Sequence, residues 1–139
     1  MSSPLRQPHT LAPDEGPTFW ILGLPGRAKA TGVQTGGTFS LVEALCPPGY
    51  ATPLHIHYLE DEAVYVLDGN LTFFCGGKQV AAVPGSYVYL PRGIAHGFCV
   101  HGNAPALILA LTVPAGADQG CSPDPVSPCG PATLELETL

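Results

Sequence analysis

Short runs of apolar or alternating apolar and polar residues follow one another along the chain from Gly16 onward, each closed by Gly, Pro or Asn. The runs are rich in Val, Leu, Phe, Tyr and Thr, and no part of this core has a long helical period. This pattern is typical of an all-β antiparallel sandwich or barrel. The predicted strands lie in the segments TFWILG, TFSLVEALCPPG, LHIHYLE, AVYVLDGN, LTFFCGG, KQVAAVPG, SYVYLPRG, AHGFCVHGN and PALILALTVPAG.

Glycine-containing turns separate these strands. Asp68-Gly69-Asn70 and Gly76-Gly77 supply residues that tolerate positive φ, so both are predicted to close β-hairpins. Pro84-Gly85 and Pro91-Arg92-Gly93 predict sharper corners, and Arg92 is expected to be exposed.

Composition changes at both ends of the chain. Residues 1–16 contain recurrent Pro and no apolar stretch of the length that a signal peptide or membrane span requires, so we interpret them as a surface arm. Residues 17–115 are long enough for one domain with its own core. Residues 116–139 are rich in Pro, Gly and Ser and predict a tail, in which TLELETL is the one candidate for an ordered segment.

Charge and cysteine content limit the class of partner molecule and the cellular compartment that we expect. A net charge of -6 with only five Lys and Arg argues against nucleic acid and anionic membranes and favours a small-molecule partner. Cys46, Cys75 and Cys99 lie in or beside predicted strands, where free cysteine behaves as a small hydrophobe. We expect a reduced cytoplasmic protein in which Cys121 and Cys129 are thiols; the alternative is a disulfide between them.

Two histidines one residue apart are the main chemical signal. His55 and His57 project to the same face of a strand, whereas Leu54 and Ile56 project to the other. We expect the imidazoles to face the interior. A pair at this spacing, followed by a carboxylate and a third histidine, fits a metal site better than an ordinary core histidine does.

The remaining candidate ligands follow from the same alternation. Glu62 shares a strand face with Val64 and Val66, which makes it the best carboxylate ligand of the acidic cluster. Glu60 and Asp61 are expected to be solvated turn residues. His96 follows the Pro91-Arg92-Gly93 corner and is the fourth candidate ligand.

The spacing of these residues resembles the two motifs of the cupin superfamily, and the likeness extends over about residues 19–114. The first motif is matched by Gly49, His55, His57, Glu62 and Gly69, and the second by Gly85, Pro91, Gly93 and His96. Fifteen residues separate Gly69 from Gly85, which is also a cupin spacing. One departure is Val100, where the family often has Asn.

The chain looks most like small single-domain cupins described as quercetin dioxygenase-like. This resemblance implies a jelly-roll barrel, an antiparallel double-stranded β-helix, that binds one divalent transition metal ion through His55, His57, Glu62 and His96. Iron, manganese, nickel, cobalt, copper and zinc all suit these ligands. It also implies a catalytic role for Glu62 as the base that takes a substrate hydroxyl proton. The family's helix after VTPAG is not matched, because VPAG continues into ADQGCSPDP.

Three functions are compatible with the sequence. The first is a dioxygenase, using dioxygen, that acts on a flavonol-like or other enolisable aromatic molecule; the second is a non-redox cyclase, isomerase or lyase; the third is a non-catalytic small-molecule binder. A homodimer through the TFWIL edge strand is expected. Candidate pocket residues, each also compatible with an ordinary core position, are Tyr50, Phe39, Leu41, Phe73, Tyr87, Tyr89, Phe98, Ile108 and Leu111.

Overall fold

Eleven β-strands and no helix are found in residues 6–116 and 134–137, which are the residues described by the computed structural model. None of these residues forms a helix with the length and apolar character needed for a membrane span. In chain order the strands are β1 (Thr18–Ile21), β2 (Leu24–Ala30), β3 (Ser40–Cys46), β4 (Leu54–His57), β5 (Asp61–Asp68), β6 (Asn70–Cys75), β7 (Lys78–Ala82), β8 (Tyr87–Leu90), β9 (His96–His101), β10 (Ala106–Val113) and β11 (Leu134–Glu137).

The strands form two sheets whose pairings are all antiparallel. The six-stranded sheet has the order β1-β2-β3-β10-β5-β8, and the five-stranded sheet has the order β11-β4-β9-β6-β7. From β3 onward the chain passes repeatedly from one sheet to the other, so segments that are distant in sequence become neighbours. This arrangement confirms the jelly-roll fold expected from the sequence.

One of the two predicted hairpins is confirmed and the other is wrong. Gly76 and Gly77, both with positive φ, join the paired strands β6 and β7. Asp68-Gly69-Asn70 instead carries the chain between sheets, because β5 belongs to the larger sheet and β6 to the smaller one. Gly69 has φ 90°, and a Cβ added to it would lie 2.5 Å from Ala106 Cα. The glycine that predicts a hairpin turn is therefore used here at a corner where another backbone segment approaches closely.

Strand β2 was not predicted, although it lies between β1 and β3 in the larger sheet. Its sequence, LPGRAKA, contains Pro, Gly and two cations and lacks the large β-formers on which the prediction depended. The structure shows strict alternation, with Leu24, Gly26, Ala28 and Ala30 buried. This segment thus forms a strand whose buried face consists mostly of small residues in place of β-branched and aromatic ones.

The core lies between the two sheets, where alternate residues of each strand point inward. Val64 and Val66 of β5 face Leu71 and Phe73 of β6 across this space, and all four are almost fully buried. Cys46 is buried within the same cluster, and burial raises the pKa of its thiol to about 12. Cys75 and Cys99 are free thiols of intermediate burial. The Cys121 and Cys129 alternatives lie outside the described residues.

Described segments near both ends of the chain contact the domain. Lys29 donates hydrogen bonds to the backbone carbonyls of Ala12, Pro13 and Glu15, so this part of the N-terminal arm follows β2. Strand β11 pairs with β4 along the edge that β9 leaves open, with Leu136 opposite His55. The histidine-bearing strand therefore has a backbone partner on each side.

Candidate metal centre

Three histidines from the smaller sheet converge inside the molecule. His55 and His57 project inward from β4, and His96 is the first residue of β9, directly opposite His55. All three are less than 9% exposed. Each offers one ring nitrogen, and these nitrogens lie within 4.8 Å of one another. The pairing of β4 with β9 therefore places His96 beside two histidines that lie far from it in the sequence.

A carboxylate from the opposite sheet approaches this cluster. Glu62, near the start of β5, places Oε2 3.6 Å from His57 Nε2 and 3.5 Å from His96 Nε2. Its side chain is 19% exposed and points to the same face as Val64 and Val66. Imidazoles from one sheet and a carboxylate from the other thus meet in the space between them.

The outer nitrogens of the three rings have different surroundings. His55 Nδ1 lies 2.8 Å from the Pro53 carbonyl oxygen, so it carries the proton and leaves Nε2 available as a ligand atom. His57 Nδ1 lies 3.7 Å from Glu60 Oε2, which exceeds a hydrogen-bond distance. Within the described residues, His57 Nδ1 and both ring nitrogens of His96 are buried without a hydrogen-bond partner.

These unpartnered atoms test whether the residues fit a metal ion. A buried polar atom without a partner is costly, and His96 Nε2 is such an atom pointing toward Glu62. An imidazole nitrogen lone pair is satisfied by a divalent metal ion, and the nearby carboxylate supplies the charge that such an ion requires. The three histidines could therefore hold a metal ion, and the Glu62 carboxylate lies beside two of them.

Burial sets the protonation of the cluster. Desolvation lowers the pKa of His55 to about 4 and also lowers the pKa of His57. Burial alone would raise the pKa of the Glu62 carboxyl, but the imidazoles of His96, His57 and His55 outweigh it and hold that pKa below its usual value. At neutral pH His55 and His57 are thus neutral and Glu62 is ionised, which are the forms that bind a metal.

An apolar cavity of about 80 Å³ adjoins the cluster. Its polar lining consists of the three histidines, Glu62, Thr52 and Thr112. The apolar lining consists of Ile21, Leu22, Leu24, Val42, Ala44, Phe73, Leu90, Phe98, Ile108 and Ala110. The volume is well below the roughly 300–1,000 Å³ of pockets for drug-sized ligands. The cavity therefore suits a small, largely apolar molecule.

Only some of the predicted pocket residues line this cavity. Phe73, Phe98 and Ile108 do so. Tyr50 packs against Phe98 and donates its hydroxyl hydrogen bond to the Leu22 carbonyl, so it supports the wall from behind. The others lie outside the lining, on the opposite side of their strands or beside them: Phe39, Leu41, Leu111, Tyr87 and Tyr89.

The alternation of side chains along a strand explains why some predicted pocket residues lie outside the lining. Tyr87 and Tyr89 are 64% and 52% exposed, because Val88 and Leu90 between and after them take the inward positions of β8. The lining that was not predicted includes Ile21 at the end of β1, Leu22 in the β1–β2 turn and Leu24 of β2. An alternation test that accepted small residues in LPGRAKA would have detected this strand.

The acidic residues before Glu62 have different environments, and the solvated-turn prediction is wrong for Glu60. Glu60 is only 7% exposed and lies beside His57. Asp61 is partly exposed and accepts hydrogen bonds from the backbone amide and guanidinium of Arg92, which lower the pKa of its carboxyl. The amide of Gly93 donates to the His57 carbonyl, so the Pro91-Arg92-Gly93 corner is bonded both to the end of β4 and to the start of β5.

Comparison with known proteins identifies the family. The model of the cupin domain matches residues 42–112, about half of the chain. Quercetin 2,3-dioxygenase of Bacillus subtilis is 28% identical over 103 residues, which cover 74% of this chain and 31% of that enzyme. An uncharacterised protein of Methanocaldococcus jannaschii is 33% identical over 82 residues, which cover 59% of this chain and 66% of the relative. The chain thus spans about a third and about two thirds of these proteins.

A solved structure agrees with the observed topology. The polyketide cyclase RemF from Streptomyces resistomycificus superimposes with a TM-score of 0.70 at 18% identity, covering 96% of this chain and 87% of that one. Identity at this level supports the fold alone. Together with the family match and the two sheets described above, it leads to one conclusion: this chain belongs to the cupin family.

Proposed function

We propose that the chain is a metal-dependent enzyme of the quercetinase-like dioxygenase class, acting on a small enolisable molecule of apolar or aromatic character. The observation that carries this proposal is the convergence of three buried imidazoles and the Glu62 carboxylate beside an apolar cavity. His55, His57, His96 and Glu62 would hold one divalent transition metal ion. The identity to a quercetin 2,3-dioxygenase supports this chemistry.

A bound divalent metal ion would supply a Lewis acid that acidifies a substrate hydroxyl and, if redox-active, supports oxygen chemistry. The Glu62 carboxylate is in position to accept the hydroxyl proton, because it borders the cavity and is ionised at neutral pH. The apolar walls exclude water, which strengthens the attraction between charges at the site. The His55–Pro53 hydrogen bond holds one ring in a single orientation during this proton transfer.

The size of the cavity refines the substrate class. A volume of about 80 Å³ favours a compact enol or diketone over a complete flavonol. A flavonol would require residues of the cavity lining to move outward. Compact substrates are therefore proposed to be turned over in preference to flavonols.

The test is oxygen uptake by metal-free protein that has been reconstituted separately with Fe(II), Mn(II), Co(II), Ni(II), Cu(II) and Zn(II). Each form is assayed with flavonols and with compact β-diketones. His57→Ala is the inactive control, and His101→Ala is its match, because His101 is an exposed histidine on the outer face of β9. Uptake that requires His57 and one particular ion supports the proposal.

Other outcomes separate the remaining functions. Product formation under argon without oxygen uptake would replace the dioxygenase with a non-redox cyclase, isomerase or lyase. Metal and ligand binding without turnover under either atmosphere would indicate a non-catalytic binder. Full metal binding by His57→Ala would contradict the proposed ligand set.

A further inference from the structure

The loop between β4 and β5 buries its acidic residue and exposes its large hydrophobic residues. Tyr58 and Leu59 are 47% and 57% exposed, whereas Glu60 is only 7% exposed. This is the reverse of the usual preference, since burying a carboxylate costs much more free energy than leaving Tyr and Leu in water. Some interaction within the protein must compensate for burying Glu60.

The Glu60 carboxylate lies behind one ring of the histidine cluster. Its Oε2 is 3.7 Å from His57 Nδ1, whereas Glu62 Oε2 is 3.6 Å from Nε2 of the same ring. The two carboxylates therefore flank the His57 imidazole, one at each nitrogen. Glu62 faces the cavity, and Glu60 lies on the far side of the ring.

A second feature accommodates this carboxylate. Gly116 is buried against Glu60, and a Cβ added to Gly116 would lie 2.7 Å from Glu60 Oε1 and 3.2 Å from its Cγ. Any side chain at position 116 would therefore displace the carboxylate from its place. The segment after β10 leaves room for Glu60 by having no side chain there.

We propose that Glu60 is a positioning residue that accepts a hydrogen bond from His57 Nδ1–H and so keeps Nε2 as the ligand atom. This inference rests on the proposed metal site. A carboxylate behind a ligand histidine fixes the tautomer and ring orientation and makes the imidazole a stronger donor. The 3.7 Å separation exceeds a hydrogen bond, so the proposal requires it to shorten when the site is loaded.

Charge balance gives Glu60 a second effect. Glu62 alone leaves a divalent ion at the site with one uncompensated positive charge in apolar surroundings. With the Glu60 carboxylate on the far side of His57, the summed charge of the ion and the two carboxylates is zero. A neutral buried site avoids the desolvation cost of an unpaired charge. Glu60 is therefore expected to increase affinity for a divalent ion.

The test compares two neighbouring acidic residues. Metal-free wild type, Glu60→Gln and Asp61→Asn are titrated with Zn(II) and Co(II) in competition with a chromophoric chelator. Glu60→Gln keeps the shape of the side chain and removes its charge, and we expect it to bind about 10- to 100-fold more weakly. Asp61→Asn should bind like wild type, because Asp61 pairs with Arg92 at the surface.

A spectroscopic readout distinguishes positioning from a general structural role. In the zinc-loaded wild type, long-range ¹⁵N NMR should show His57 protonated at Nδ1, with a chemical shift typical of a donor to a carboxylate. Glu60→Gln should move that resonance and leave those of His55 and His96 nearly unchanged. The wild-type spectrum tests the tautomer even if the variant does not fold.

Several results would overturn the inference. It fails if Glu60→Gln binds both ions with wild-type affinity, or if His57 is protonated at Nε2 in the loaded protein. If His57→Ala loses the metal while Glu60→Gln does not, only the role of Glu60 is wrong. If the wild type itself binds neither ion, both the proposed metal site and the proposed role of Glu60 are wrong.

Discussion

His55 and His96 are direct register partners across β4 and β9, and their ring centroids lie 4.4 Å apart. The proximity of the two rings is therefore fixed by backbone pairing and does not depend on the conformation of a loop. His57 lies two residues along the same strand, with its ring nearly parallel to that of His96 at 5.3 Å. Regular sheet geometry thus generates the cluster.

The first prediction concerns metal stoichiometry. His57→Ala should bind markedly less metal than wild type, because it removes one of three converging imidazoles. His101→Ala should retain wild-type stoichiometry, since that ring lies outside and bonds to Thr72. Metal analysis after dialysis of both reconstituted variants would measure this difference. Equal metal content would show that the proposed ligand set is wrong.

The second prediction concerns the carboxylate. Glu62→Gln should lower kcat by about 10²–10⁴-fold, because an amide cannot accept the substrate proton. The three histidines remain, so some metal binding should persist at reduced affinity. Single-turnover kinetics on protein saturated with metal would separate the loss of the base from loss of the ion. A saturated Glu62→Gln with wild-type kcat would exclude Glu62 as the base.

The third prediction is the acid sensitivity of the metal-free protein. The pKa of His55 is about 4 in the fold and near 6.5 in the unfolded chain, so the unfolded chain binds the proton first as the pH falls. This contribution to stability is complete above about pH 6.5 and should decrease by about 3 kcal/mol as the pH approaches 4. The lowered pKa of His57 acts in the same direction.

Urea unfolding of metal-free protein at a series of pH values across this range would measure the effect. Saturating zinc should shift the decline to lower pH, because metal and protons compete for the same nitrogens. A free energy of unfolding that stayed constant from about pH 7 to about pH 4 would contradict the burial of neutral histidines.

The fourth prediction compares two glycines with similar φ. A Cβ at position 69 would lie 2.5 Å from Ala106 Cα, so Gly69→Ala should destabilise the fold by at least about 2 kcal/mol. Gly77 has φ 81° but no atom within 4 Å of an added Cβ. Gly77→Ala should therefore cost only about 1 kcal/mol. Urea unfolding midpoints of the two variants provide the test, and equal losses would exclude a close approach at Gly69.

The fifth prediction concerns the cavity wall. The Tyr50 hydroxyl donates to the carbonyl of Leu22, a residue with φ 50° that lines the cavity. Tyr50→Phe removes this bond and should destabilise the fold by about 1 kcal/mol. Tyr87→Phe is the matched control, because that ring is 64% exposed. Thermal unfolding of both variants would reveal the difference, and an unchanged Tyr50→Phe would show that the bond contributes nothing.

The orientation of the candidate ligands on their strands could be predicted because it depends on local rules. Alternation along a strand placed His55 and His57 on one face, and the corner before His96 fixed where the next strand begins. The same rule placed Glu62 with Val64. For these residues, the structure and the sequence agree because strand geometry is the same wherever a strand occurs.

The parts that could not be predicted depend on contacts between distant segments. Burial of Glu60 depends on Gly116, whose position beside it is set by tertiary packing. Tyr87 and Tyr89 share a strand face, but which face is inward depends on the pairing of β8 with β5. The corner at Gly69 has the same composition as a hairpin turn, and only the two-sheet topology distinguishes them.

The division of the cluster between sheets has a mechanical consequence. The imidazoles belong to the five-stranded sheet and the carboxylate belongs to the six-stranded sheet. An ion bound by both would therefore cross-link the two sheets. Sliding or separation of the layers would then require breaking coordination bonds, and amide hydrogen exchange should slow on both sides of the interior together. Occupancy of one small site would thereby add to the core packing that joins the two sheets.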